Sequence, residues 1–222
     1  FRWQNPYIPL LPRSMCDMVY APMGFLMGLP AEFYDPDDPM LAGECIVVDL
    51  DENSNQPILS KNGKFIIVFN GEIYNFINLK KKFNLLTKTN SDTEVIIELF
   101  SKIGPKTFSL LDGMFSIAIY DIFSKKLYLA RDPFGIKPLY YFKDKTKFIF
   151  CSEIKGIFEV KKNIVENKDS LVDLIKWGGL DHSKKTWFKD VYSIEAGSYK
   201  IIDGNLNIVN RKYYKLENNL KK

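Results

Sequence analysis

Phe65-Ile66-Ile67-Val68-Phe69 is an apolar, β-preferring run, too short for a helix and suited to a buried strand. The spacing predicts that this strand stops at Asn70-Gly71, where a polar stretch leads to Phe76, Leu79 and Phe83 at roughly helical intervals. Ser91-Asp92-Thr93-Glu94 carries the capping-box pattern, Ser91 as N-cap and Glu94 three residues on. The helix it opens has Val95, Ile96, Leu99, Phe100 and Ile103 as its buried stripe and is stopped by Gly104-Pro105.

Strand-like runs follow, with turn signals between them. Met114 to Tyr120 and Lys126 to Asp132 are two of these, and Pro133 to Pro138 is a loop. Leu139-Tyr140-Tyr141-Phe142 and Phe148-Ile149-Phe150-Cys151 are predicted to pair as a hairpin. Short helices begin at Ser152-Glu153-Ile154-Lys155 and span Lys168 to Trp177. Tyr192 to Ile202 and Leu206 to Tyr214 close the pattern as a hairpin around Asp203-Gly204. Many antiparallel strands with a few helices indicate an α+β layered domain.

The first 51 residues depart from this pattern. Pro6, Pro9 and Pro12 rule out a helix at the start, Tyr34 to Pro39 is an acidic loop, and Cys45 to Leu50 predicts a buried strand. The composition differs as well. Residues 1–51 contain no lysine, whereas 52–222 contain all 27, and asparagine rises from one occurrence to fifteen. Two arginines against eight acidic residues give the first segment a net charge of −6, which leaves +10 for the remainder of a chain whose total is +4. The expectation is two segments with separate histories, joined near Asp49-Leu50-Asp51-Glu52-Asn53.

Charge and cysteine usage narrow the function classes. Dispersed lysines describe a solvated surface, so no nucleic-acid partner is expected. No apolar run is long enough to cross a bilayer, so no membrane partner is expected either. The start of the chain lacks the pattern of a signal peptide. Cys16, Cys45 and Cys151 are too scattered for a disulfide framework or a zinc site, and His182 is the only histidine. A reducing, cytoplasmic compartment without metal or cofactor is the expectation.

The candidate chemistry lies at Asn70-Gly71. A buried strand that delivers an Asn side chain beside a Gly backbone N–H can hold an oxyanion. Asn-Gly is also the commonest two-residue β-turn signal, so a plain hairpin remains open at this point. Asp92 sits in the first helical turn, where the dipole favours a carboxylate, and on its residues alone it supports the helix end.

Several segments resemble the class-II, N-terminal-nucleophile glutamine amidotransferase domain of asparagine synthetases. They are Asp49 to Pro57, Phe69-Asn70-Gly71-Glu72-Ile73-Tyr74-Asn75, Ser91 to Ile96, Leu111 to Ser116, Arg131 to Tyr141 and Ser152 to Lys155. The resemblance covers about residues 45–214. Phe1 to Pro12, Ala21 to Gly28 and Ile46 to Asp51 look like part of a DENN domain, a family that exchanges nucleotide on Rab-type GTPases. That piece is too short to bury a core of its own. The expected organisation is a DENN-like fragment at 1–51 and an N-terminally incomplete amidotransferase domain at 52–222.

The first resemblance implies a four-layer αββα sandwich of antiparallel sheets, here missing its N-terminal strands and so expected to be marginally stable. It implies attack by an N-terminal cysteine on glutamine, with release of glutamate and ammonia for asparagine synthesis in an ATP-using synthetase domain absent from this chain. It further implies that Asn70 and Gly71 stabilise the oxyanion, that Glu72 and Asp92 hold the substrate α-ammonium, and that Arg131, Asp132 and Gly135 set a turn.

Two features depart from the family. The opening nucleophile segment is replaced by the DENN-like sequence, and the arginine that clamps the glutamine carboxylate is matched by Glu44. Like charges there would repel. A start at Met15 would make Cys16 the nucleophile; Asp17-Met18 and a short interval to Asn70 argue against it. The expected enzyme is therefore an amidotransferase with a broken glutaminase site. The alternatives are a non-catalytic chimeric or scaffold protein, or a DENN fragment.

Overall fold

The structure, a computed structural model, describes residues 24–25, 56–161, 163–177 and 184–218. Cys16, Glu44, Cys45, the strand expected at Cys45 to Leu50, and His182 lie outside the described residues. In chain order the elements are β1 (Gly24–Phe25), β2 (Ile58–Leu59), β3 (Phe65–Ile73), α1 (Phe76–Lys82), α2 (Asp92–Ile103), a 3-10 segment Gly104–Leu110, β4 (Gly113–Asp121), β5 (Lys126–Arg131), β6 (Tyr140–Lys143), β7 (Phe148–Cys151), α3 (Ile154–Val160), α4 (Lys168–Trp177), β8 (Val191–Ser193), β9 (Ser198–Ile202) and β10 (Ile208–Lys212). The described residues fall into two compact units.

The larger unit, built from residues 56–138 and 194–218, carries a six-stranded antiparallel sheet in the order β10-β9-β5-β4-β3-β2. β3 alternates along its length: Phe65, Ile67, Phe69 and Ile73 are buried, while Ile66, Val68 and Asn70 are half-buried on the other face. The buried set packs on α2 through Val95, Ile96, Leu99 and Phe100. Ile97 is buried too, so the apolar surface of α2 is wider than the stripe its spacing predicts. Edge-on aromatic contacts, Phe65 with Phe100 at 5.2 Å and Phe100 with Tyr128 at 5.1 Å, lock helix to sheet. Each such ring contributes about 1.5–3 kcal/mol by its burial.

The second unit contains residues 24–25 and the described part of 139–193. Its four-stranded antiparallel sheet has the order β1-β7-β6-β8. The hairpin expected from Leu139 to Cys151 is present, with Tyr141 opposite Phe150. Phe142, Ile149, Cys151, Ile157 and Val191 form its core.

Four local details correct the sequence-based expectations. First, β3 does not stop at Asn70-Gly71. It stays in the ladder to Ile73, with Asn70 opposite Ser116, Gly71 opposite Phe115 and Ile73 opposite Gly113. Second, an Asn-Gly turn does exist, at Asn62-Gly63 between β2 and β3. There Gly63 takes φ +70° and Asn62 Oδ1 accepts from the Lys64 N–H at 3.0 Å. Third, Tyr192 to Ile202 is not one strand; β8 and β9 belong to different sheets, separated by a loop with Gly197 at φ +63°. Fourth, only half of the capping box forms. Ser91 Oγ accepts from the Thr93 N–H at 3.2 Å. Glu94 instead collects the Lys88 N–H, the Thr89 N–H and the Thr89 hydroxyl, at 2.8, 2.7 and 2.7 Å, and ties down the preceding loop.

Candidate active site

The backbone of β3 determines where the candidate donors point. In an antiparallel ladder, residues directly opposite alternate between exchanging both hydrogen bonds and turning their polar groups away from each other. The Phe115 carbonyl accepts from the Asp132 N–H at 2.9 Å, and its N–H lies 3.4 Å from Asp132 Oδ2. Both polar groups of Phe115 thus face β5. Its opposite residue, Gly71, therefore directs its N–H away from β4, toward the β2 side of β3.

The flanking residues of the same phase confirm this direction. The Phe69 N–H donates to Gln56 Oε1 at 2.6 Å, and the Gln56 amide returns a bond from Nε2 to the Phe69 carbonyl at 2.9 Å. Two residues beyond Gly71, the Ile73 N–H donates to Asp92 Oδ2 at 3.0 Å. Three outward N–H groups thus lie in a row: Phe69 against an amide, Gly71 in the middle, Ile73 against a carboxylate.

Position 71 admits only glycine. A Cβ there would lie 2.1 Å from the Met114 carbonyl oxygen and 2.7 Å from Phe115 Cα, and φ is +154°. Gly113 is the counterpart on β4, where a Cβ would lie 2.1 Å from the Glu72 carbonyl oxygen. The two glycines let β3 and β4 approach closely where the site is formed.

Asn70 and Glu72, one residue to either side, project from the face opposite the α2-covered core, Asn70 half-buried and Glu72 exposed. In register, Asn70, Ser116 and Arg131 form one row across β3, β4 and β5. Asn75 fixes the end of the strand: its Nδ2 donates to the Leu110 carbonyl at 2.9 Å and its Oδ1 accepts from the Asp112 N–H at 3.1 Å.

Asp92 is buried in the first turn of α2. Burial raises its pKa, and the Glu72 carboxylate pushes the same way, while the bonds from Ile73 and Thr93 oppose the shift. The two carboxylates thus lie near enough to interact, with Asp92 at the helix N-terminus. The sequence alone favoured a helix-supporting Asp92. The structure adds that it joins α2 to the edge of β3, two residues from Gly71.

The loop after β5 is held by two neighbouring side chains. Asp132 is fully buried and accepts from the N–H groups of Phe134, Ile136 and Lys137 at 3.0, 2.9 and 2.9 Å. The Arg131 guanidinium donates to the carbonyls of Lys137, Gly135 and Ile194 at 2.7, 2.6 and 2.9 Å. Gly135 sits at φ +69°, and a Cβ there would press to 3.2 Å from Arg131 Cζ. The structural role expected for these three residues is the one observed.

Cys151 is the thiol among the described residues. Burial and the charge of Glu153 push its pKa up to about 12, so it holds its proton and serves as core, as expected. Among the described residues no group of three or more His, Cys, Asp or Glu could hold a metal ion, and no helix is long and apolar enough to cross a membrane. The partner of the Gln56 side chain is a backbone group thirteen residues away, which no local pattern reveals.

Comparison with known proteins identifies the family and the fold. The glutamine amidotransferase domain family matches residues 40–214, and the DENN (AEX-3) domain family matches residues 1–53. The two matches overlap at 40–53, where the composition changes. A putative asparagine synthetase [glutamine-hydrolyzing] 2 of Methanocaldococcus jannaschii is 37% identical over 185 residues, which are 76% of this chain and 36% of that protein. Asparagine synthetase [glutamine-hydrolyzing] 2 of Bacillus subtilis is 39% identical over 166 residues, 72% of this chain and 22% of that protein. The chain thus spans about a third or less of the length of these relatives. Among solved structures, the glutamine phosphoribosylpyrophosphate amidotransferase of B. subtilis aligns with a TM-score of 0.52 at 20% identity, covering 72% of this chain and 32% of that one. The α+β fold expected from the sequence, that of N-terminal-nucleophile amidotransferases, is the fold found. By its family match and its fold, this chain belongs to the glutamine amidotransferase domain family.

Proposed function

We propose that the β3 edge is the oxyanion-stabilising part of a glutamine site. The observation that carries this is the position of the Gly71 N–H, outward-facing between a Phe69 N–H already bonded to Gln56 and an Ile73 N–H already bonded to Asp92. When a thiol attacks a glutamine side-chain amide, negative charge develops on the carbonyl oxygen. The Gly71 N–H and the Asn70 side-chain amide are the donors for that charge. Removal of one such donor lowers the rate by about 10²–10³. Glu72 and Asp92 hold the substrate α-ammonium. The product ammonia would serve an ATP-using synthetase domain, by analogy with the relatives.

In this chain Glu44 stands at the sequence position where the family resemblance implies an arginine for the substrate carboxylate. A repelled carboxylate weakens glutamine binding, and the protonated, buried Cys151 does not replace a nucleophile. The function proposed is therefore weak glutamine recognition without turnover, on a chain whose DENN-like residues 1–53 have a separate origin. Incubation of the purified chain with glutamine is expected to release no ammonia above background. Release that disappears in Asn70→Ala and Cys16→Ala variants would overturn this and establish a working glutaminase.

A further inference from the structure

We propose that Gln56 is a positioning residue of this site: its side-chain amide takes the place of the next peptide group of β2, completes the rung at Phe69, and so holds the stretch of β3 that carries Asn70 and Gly71. The proposal rests on the glutamine-site reading and deepens it.

The register supplies the argument. β2 pairs with β3 at Ile58 opposite Ile67 and Leu59 opposite Ile66. Just before the turn, the Ser60 N–H donates to the Phe65 carbonyl at 2.8 Å, and the Phe65 N–H donates to Ser60 Oγ at 2.9 Å. Counting back by twos, Ser60 with Phe65, Ile58 with Ile67 and Gln56 with Phe69 are the positions where the two strands meet with polar groups facing. At the third, the Gln56 side chain provides both bonds in place of its backbone: Oε1 accepts from the Phe69 N–H at 2.6 Å and Nε2 donates to the Phe69 carbonyl at 2.9 Å. A primary amide presents the same donor and acceptor as a peptide unit, so the rung is complete. Pro57, between them, has no N–H to contribute.

The consequence reaches Gly71. Divergence without Gln56 would leave the polar groups of Phe69 without partners on a buried residue and loosen the strand that carries Asn70 and Gly71. The Gln56 side chain satisfies that rung and holds the strand two residues before Gly71.

The test uses the full chain, with backbone amide exchange at Phe69 and Gly71 and the shift of the Gly71 amide on titration with L-glutamine. Gln56→Met keeps the side-chain length and removes both hydrogen bonds; Gln56→Ala removes the bulk as well. Exchange at Phe69 should rise about tenfold or more in both variants, and the apparent affinity for glutamine at Gly71 should fall about fivefold or more. Exchange in β4 and β5 should stay at its wild-type rate. Wild-type exchange at Phe69 in Gln56→Met would overturn the proposal. So would loss of protection spreading equally through β4 and β5, since Gln56 would then serve only global stability. A wild-type chain whose Gly71 ignores glutamine would refute the glutamine site itself, while Phe69 exchange would still decide the role of Gln56. Should the alanine variant fail to fold, the methionine variant gives the same readings.

Discussion

Gly71→Ala tests the close approach of β3 and β4 at the candidate site. A Cβ at position 71 would sit 2.1 Å from the Met114 carbonyl oxygen, 2.7 Å from Phe115 Cα and 3.0 Å from the Met114 carbonyl carbon, all backbone atoms with no rotamer to turn aside. Relief requires the two strands to part by about 1 Å over a ladder that runs from Phe65 to Ile73. Overpacking of this kind costs about 1–3 kcal/mol. Holding an L-residue at φ +154° adds a similar amount of backbone strain. The expected loss is about 2–6 kcal/mol, from a domain stability of order 5–15 kcal/mol. Gly63→Ala is the control: Gly63 has φ +70° and nothing within 4 Å of a Cβ, so only left-handed strain of about 1–2 kcal/mol applies. Urea unfolding followed by far-ultraviolet circular dichroism measures both. A Gly71→Ala midpoint no lower than that of Gly63→Ala would refute the close-approach argument.

Three further predictions concern individual polar groups. Asp92 has its pKa raised in the folded state above 3.8, so its contribution to stability is fully present below that pH and is lost as pH rises through the folded value. Asp92→Asn, which still accepts from Ile73, should therefore be the more stable protein at pH 7 but not at pH 3 in paired urea titrations. Its glutamine affinity should fall about tenfold, because a neutral amide does not pair with an ammonium. Asp121 shifts the other way. Desolvation works against ionisation, yet the bonds from Ser124, the nearby Lys64 and the Phe123 N–H hold its pKa below 3.8. Its contribution is present above 3.8 and lost as pH falls through the lower folded value, so Asp121→Asn should lose less stability than wild type between pH 5 and pH 2. Thr107 is fully buried and its Oγ1 has no hydrogen-bond partner among the described residues, so Thr107→Val should raise stability by about 1 kcal/mol, read as a higher thermal midpoint.

The two Asn-Gly pairs show how much of this was legible in the chain. Asn62-Gly63 lies between lysines and makes the turn; Asn70-Gly71 lies inside a strand. The distinguishing signal was present, because Ile73 continues the alternation of Phe65, Ile67 and Phe69 past Gly71. The dipeptide's turn preference hid it. α2, the β6–β7 hairpin and the loop after β5 were readable because their periodicity and breakers are local. The capping-box pattern has Glu94 capping its own helix, but Glu94 accepts from the N–H groups of Lys88 and Thr89 while the Ser91 N–H donates to Thr89 Oγ1, an arrangement the four-residue pattern does not show. Gln56 was hidden for the same reason: a side chain that replaces a strand rung looks like any polar residue before a proline.

The candidate donors were found because an Asn followed by Gly at the end of an apolar run is rare chemistry in a common disguise. Their direction was not, since it depends on which residue of β4 stands opposite. That information is in the pairing of Gly71 with Phe115 and of Phe115 with Asp132, and it came only with the sheet.

The most direct test of the glutamine site is an ¹⁵N-resolved titration of the whole chain with L-glutamine, following the Gly71 backbone amide and the Asn70 side-chain amide. A saturable shift at both, weakened in Asp92→Asn and absent with an amide lacking the α-ammonium, is the predicted result. Signals at Gly71 and Asn70 that stay unmoved at saturating glutamine, or that move equally with the simple amide, would contradict it.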